Sequence, residues 1–152
     1  MASNPGARVA LLPIRPRFAR SIMSGEKKVE FRKVRFRSNV SRVVVYASSP
    51  IKRVLGYFHV ANIHEAPPAE LWARYAQVGG LDRDEFLAYY ASSGEGVAIG
   101  IGEVRSLPDP LPLDTLGSLL RVPQSFAYLT DEAFQKLVEC LEAQHKGESS
   151  TK

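Results

Sequence analysis

Lys27, Glu30 and Arg32 place an ammonium, a carboxylate and a guanidinium within six residues, just after Gly25, a glycine suited to end a helix. If Val29 to Lys33 is a strand, alternation puts Glu30 and Arg32 on one face and Val29 and Phe31 on the other. The apolar face would hold the strand on a core, and the charged face would turn toward a cleft. There the two cations can order the charges of a polar ligand, while Glu30 can accept a hydrogen bond from a base amino group. Lys27 suits a phosphate contact or, with a pKa depressed by Lys28 and burial, a base. The same pattern also fits a solvated strand face with ordinary ion pairs.

Further candidates lie downstream. Tyr46 ends a valine-rich stretch, where a phenol can exchange a proton or simply pack half-buried. Lys52 follows Ser48-Ser49-Pro50, a turn whose hydroxyls and amides can bind a phosphate, and Arg53 adds a second cation. Ser125, in Pro123-Gln124-Ser125-Phe126, reads as an exposed loop serine, which is ordinarily only solvated. His59 and His64 are five residues apart and would point to opposite faces, an arrangement that does not suggest a metal site. The single cysteine, Cys140, excludes an intramolecular disulfide and a cysteine-based metal site. Neither a Walker-type phosphate loop nor a dinucleotide fingerprint occurs, and Gly94-Glu95-Gly96 reads as a turn. No metal and no cofactor are expected.

Charge is unevenly spread. Residues 8 to 53 hold 13 Lys or Arg against Glu26 and Glu30, a net of +11, and the rest of the chain carries −7, for an overall +4 among 152 residues. Such separation gives one part of the molecule a positive field suited to a phosphate backbone. A polyanion, such as RNA or another single-stranded nucleic acid, is the expected partner. No apolar run approaches the roughly 20 residues that span a bilayer, and no charged-then-apolar leader opens the chain. A cytoplasmic protein without a membrane partner is expected.

The elements that must position these groups are readable in outline. Arg8 to Ile14 is predicted as a strand, and Pro16 opens a helix that carries Phe18, Ile22 and Met23 inward and ends at Gly25. Strands follow over Lys28–Arg35, Arg42–Ala47 and Val54–Ile63, the last twisted around Gly56. Pro67-Pro68 precedes a helix over Ala69–Ala76; Gly79-Gly80 separates it from a second, N-capped by Asp82. Val97–Val104 is predicted as a strand, Leu107–Pro112 as a proline-punctuated loop, and Thr130 opens a final helix to about Gln144. Mixed strands and helices without regular alternation predict an α+β fold with a curled sheet. One domain is expected over residues 8–145, between a flexible start (1–7) and a disordered tail (146–152).

Gly25, Lys27, Glu30 and Arg32 resemble the G-x-K-x-x-E-x-R signature of the ASCH domain family, a branch of the PUA-like β-barrels. The preceding run from Pro13 to Ser24, including Arg15 and Phe18-Ala19, is similar to the family's lead-in. Val45–Lys52 and Pro123–Phe126 resemble segments of one subgroup. The resemblance, over about residues 9–129, implies a PUA-like curled mixed β-barrel with flanking helices and a basic cleft that binds RNA. Relatives with a Tyr, a Lys and a Ser at similar places are tied to RNA cleavage. That implies catalysis by Tyr46, Lys52 and Ser125, with Arg15, Lys27, Glu30, Arg32, Ser48 and Arg53 contacting nucleic acid. Metal-free cleavage needs a 2′-hydroxyl activated, the phosphorane charge stabilised and the 5′-oxygen protonated. A non-catalytic module reading RNA or a modified nucleotide, in a regulatory role, is the alternative. Other relatives are amidohydrolases of N4-acylated cytidine. Here Lys27 matches their lysine, but Glu30 replaces their threonine, and no carboxylate stands near Val78-Gly79-Gly80, where their glutamate would fall.

Overall fold

Four consecutive apolar residues, Val9 to Leu12, are buried in the first strand, β1 (Arg8–Ile14), because both of its faces are covered: Val9 and Leu11 pack in one apolar cluster, and Ala10 and Leu12 in another. The computed structural model describes residues 6–150, with side chains through residue 147. Pro16 then opens α1 (Pro16–Ser24), which ends at Gly25 in the left-handed conformation, φ 88°. Next come β2 (Val29–Arg32), β3 (Val40–Ala47) and β4 (Arg53–Ala66). Two short helices follow, α2 (Pro68–Tyr75) and α3 (Arg83–Tyr89), and then β5 (Gly96–Leu111), β6 (Ala127–Leu129) and α4 (Asp131–Ser150). The fold is α+β.

The strand order is β2-β5-β4-β3-β1-β6, with β1 and β3 parallel and every other neighbouring pair antiparallel. Three clusters of apolar side chains pack on this sheet. One joins α1 to β1, β3 and β4 through Ala19, Ile22, Val43, Val45 and Phe58. A second sits under α4, with Leu11, Val44, Tyr46, Leu137 and Leu141. The third packs α2 and α3 on β2, with Val29, Phe31, Leu71, Phe86 and Tyr90. Phe31 is 4% exposed and stands edge-on to Phe86, 5.0 Å between ring centres. Phe31→Ala is therefore expected to cost roughly 3–5 kcal/mol of stability, read from denaturant midpoints. A change under about 1 kcal/mol would contradict this packing.

The structure corrects the sequence reading in three places. The closed barrel is absent from the backbone hydrogen bonds: β2 and β6 are edge strands and do not pair with each other. The proline-punctuated segment belongs to β5, not to a loop. It is tolerated because the β4–β5 register shifts between Gly56↔Ser106 and Val54↔Leu111, and Pro108 and Pro110 fall in that irregular stretch. Finally, α4 continues through residues 146–150, where a tail is predicted. Residues 1–5 and 151–152 of the expected flexible ends lie outside the described residues. Gly56 marks the predicted twist: at φ 148°, a Cβ there would lie 2.1 Å from the Arg105 carbonyl oxygen.

Candidate functional site

Strand alternation in β2 sends Val29 and Phe31 to the α2–α3 cluster and turns Glu30 and Arg32 to the opposite side. There they line a pocket of about 680 Å³. Its rim comes from the end of β1 (Pro13, Ile14, Arg15), from Phe18 of α1, and from Leu81, Glu85, Ala88 and Tyr89 at α3. Lys33, Val34, Gln124 and Ser125 complete the rim, and Phe31 also borders the pocket. The volume falls in the range of small-molecule sites and suits one nucleotide. The pocket lies at the unpaired seam of the sheet, since it touches both β2 and the approach to β6.

A chain of polar contacts runs along the pocket floor. The Lys27 ammonium donates to the Gly79 carbonyl oxygen and lies 3.6 Å from Glu30 Oε1. The other Glu30 oxygen, Oε2, accepts from Arg32 Nη1 at 3.3 Å, and Arg32 Nη2 donates to the Ser125 carbonyl at 2.8 Å. Lys27 is 1% exposed and Glu30 6%. Both are thus more deeply set than a strand face turned to an open cleft would be. Lys27 is not among the residues that line the pocket. It stands behind Glu30, with its charge also over the Phe18 and Phe31 rings, 5.2 and 5.5 Å away.

Gly79 and Gly80 make this sealing chemically allowed. A Cβ on Gly79 would lie 2.3 Å from the Phe31 ring, and Gly80, at φ 79°, packs against the Lys27 stem. The backbone at Val78-Gly79-Gly80 therefore supplies a carbonyl to Lys27 at the place where the amidohydrolase relatives are expected to supply a carboxylate. Burial lowers the Lys27 pKa, and Glu30 opposes that shift. The folded protein thus releases this proton before the unfolded chain does. Stability should rise with pH between the lowered folded value and the ordinary 10.5, and this rise should vanish in Lys27→Met. Parallel stability–pH profiles for parent and variant would contradict the buried ammonium.

The pocket wall carries further charges and rings. Arg17 of α1 donates to Glu85 of α3 at 2.9 Å, tying the two helices that flank the mouth. This bond holds the Glu85 carboxyl below its usual range, helped by the Asp82 backbone N–H of the α3 capping box. Tyr89 has its pKa raised by burial and lies under the Lys33 ammonium, 4.9 Å from ring centre. Tyr90 donates to the Arg32 carbonyl at 2.8 Å and fixes the end of β2 from behind.

Of the predicted site residues, the structure brings Arg15, Glu30, Arg32 and Ser125 together around the pocket, with Lys27 behind them. Tyr46, Ser48, Lys52 and Arg53 do not line it. Tyr46 is 6% exposed in the cluster under α4, and its strand partner is Pro13 of the pocket rim. Ser48 donates its backbone N–H to the Ile14 carbonyl at 2.9 Å, so the β3–β4 turn is fastened to the same rim. Lys52, exposed at φ 53°, and Arg53, whose guanidinium bonds the Lys52 carbonyl at 2.9 Å, lie on that turn. Sequence reasoning missed Glu85, Tyr89, Leu81 and Lys33. The adjacent Tyr89-Tyr90 pair and the Asp82-x-x-Glu85 capping box were the available signals. Among the described residues no three His, Cys, Asp or Glu side chains gather as a metal site, and no helix is long and apolar enough to cross a membrane.

Similar proteins carry the same framework. An ASCH domain-containing ribonuclease of Zymomonas mobilis is 30% identical over 142 residues, covering 91% of this chain and 95% of the relative. The crystal structure of ASCH from Zymomonas mobilis superposes with a TM-score of 0.81 at 29% identity, covering 87% of this chain and 94% of that one. Crystal structures of two variants of that protein, one with a serine replaced by alanine and one with a tyrosine replaced by phenylalanine, match equally well, with a TM-score of 0.81. The N-terminal domain of Staphylothermus marinus McrB shares the fold at a TM-score of 0.56 and 11% identity, over 91% of this chain and 98% of that one. The sequence pattern of the ASCH domain matches residues 12–109. The chain belongs to the ASCH domain family.

Proposed function

We propose that this protein is a cytoplasmic, metal-independent ribonuclease that binds single-stranded RNA with one nucleotide in the pocket and the adjoining phosphate at the β3–β4 turn. The observation that carries this reading is the Ser48–Ile14 bond. It joins the basic rim of a nucleotide-sized pocket, with Arg15 and Arg32, to a turn that presents Lys52 and Arg53. The kinship with a protein named a ribonuclease supports it, as does the substitution of a serine and a tyrosine in that relative, the residue types of Ser125 and Tyr46. In this reading the 2′-oxygen attacks phosphorus while the bond to the 5′-oxygen breaks, leaving a cyclic phosphate. Tyr46 exchanges the proton, Lys52 stabilises the phosphorane charge, and Ser125 orients a phosphate oxygen. Lys27 acts through Glu30, because its ammonium is enclosed. Arg32 reaches from β2 across the seam to the Ser125 carbonyl, two residues ahead of β6.

The test is binding as a function of salt. Arg15→Glu with Lys52→Glu reverses two exposed cations and leaves the buried floor untouched. The double variant should bind single-stranded RNA more weakly, with a log–log salt slope smaller by roughly 1.4, the value for two lost phosphate contacts. An unchanged slope would show that RNA does not cross this rim and turn. A second reading, a binding module for RNA or a modified nucleotide, is favoured by one observation: neither Tyr46 nor Lys52 lines the pocket. It predicts tight RNA binding with no strand scission.

A further inference from the structure

Nothing in the backbone ladder holds the segment that carries Ser125. Residues 121–126 form no strand or helix, and the edge strands on either side of the seam do not pair. Ring packing and one hydrogen bond fix its far end. Phe126 stands edge-on to Phe36 and to Tyr128, 5.0 and 5.4 Å between ring centres, and the Ser125 carbonyl accepts from Arg32 across 93 residues of sequence. Arg32 is itself held from two sides: its guanidinium by Glu30, and its carbonyl by the Tyr90 hydroxyl. Glu30 is in turn held by Lys27, and Lys27 by Gly79.

We propose that Arg32 is the positioning residue for Ser125, and that the Lys27–Glu30–Arg32 row, buried at Lys27 and Glu30, serves as a rigid arm which places that serine at the pocket rim. This rests on the ribonuclease reading for its kinetic consequences but not for its structural one. A guanidinium is a planar fork whose separate nitrogens reach two acceptors at once, here Glu30 through Nη1 and the Ser125 carbonyl through Nη2. A lysine keeps the charge, and so the attraction for RNA, but its single ammonium cannot occupy both places. The arm also explains why two of the signature's charges, Lys27 and Glu30, are buried: a positioning device gains precision when its own side chains have little freedom.

Arg32→Lys and Arg32→Gln test this, and a variant qualifies if it unfolds cooperatively. The backbone amide order parameters of Ser125 and Phe126 should fall from about 0.85 to below about 0.6, with α4 unchanged. In Arg32→Lys, which keeps the charge, cleavage should lose kcat by on the order of a hundredfold, with KM within about threefold. Because Arg32 acts through Ser125, adding Arg32→Lys to Ser125→Ala should cause almost no further loss of kcat. Unchanged order parameters at Ser125 and Phe126 would overturn the proposal, as would additive losses in the double variant or a rise in KM with kcat preserved in Arg32→Lys. If the parent cleaves no RNA, the ribonuclease reading fails and the order parameters alone decide: a fall upholds the arm, and unchanged values remove it.

Discussion

Tyr46→Phe and Lys52→Ala are expected to bind RNA within about tenfold of the parent, roughly 1.4 kcal/mol, and to lose most cleavage. Tyr46→Phe keeps the ring that packs among Leu11, Val44 and Leu113 and deletes the hydroxyl with its exchangeable proton. Its effect on folding should therefore be small. Lys52 is exposed on a turn, so its removal opens no cavity, and in the proposed reaction its charge would matter most when the phosphorane carries extra negative charge. Single-turnover cleavage beside equilibrium binding separates the two effects. Equal losses of binding and cleavage would recast both residues as ligand contacts. Full activity in both would remove them from the chemistry.

The second large effect concerns the pocket floor. Glu30→Ala would leave the Lys27 ammonium, 1% exposed, facing Arg32 with no carboxylate between them. Stranding one partner of a buried pair costs about 3–5 kcal/mol. Adding Lys27→Met should recover much of that loss, since the uncompensated charge is then gone and the methionine stem fills the space between Phe18 and Phe31. Chemical denaturation of the single and double variants measures this directly. If the double variant is no more stable than Glu30→Ala, Lys27 and Glu30 are not energetically coupled.

How far the sequence foretold this site depends on the range of each contact. The Lys27–Glu30–Arg32 grouping and the burial of Phe31 follow from period-two alternation over six residues, and both are present in the structure. The capping glycine at 25 and the Asp82 N-cap are equally local and equally present. The partners that give the grouping its meaning are not local: Gly79 lies 52 residues from Lys27, and Ser125 lies 93 from Arg32. No pattern of residue types announces that a glycine carbonyl will receive a lysine. The three-residue β6 was unreadable for a related reason, since its existence depends on β1 being available as a partner. Pro108 and Pro110 signal a loop by composition, and only the shifted β4–β5 register shows how a strand contains them. Tyr46, Lys52 and Ser125 are named by the family resemblance and not by any residue pattern, and of the three only Ser125 lines the pocket.

The central claim is that this protein breaks RNA by transesterification without a metal ion. The most direct measurement is incubation of the intact chain with a mixed single-stranded RNA pool in excess EDTA, followed by end-group analysis of the fragments. Fragments ending in a 2′,3′-cyclic phosphate, with free 5′-hydroxyls on their partners, are the predicted result. Intact RNA that remains bound to the protein would contradict it and make the chain a reader of RNA.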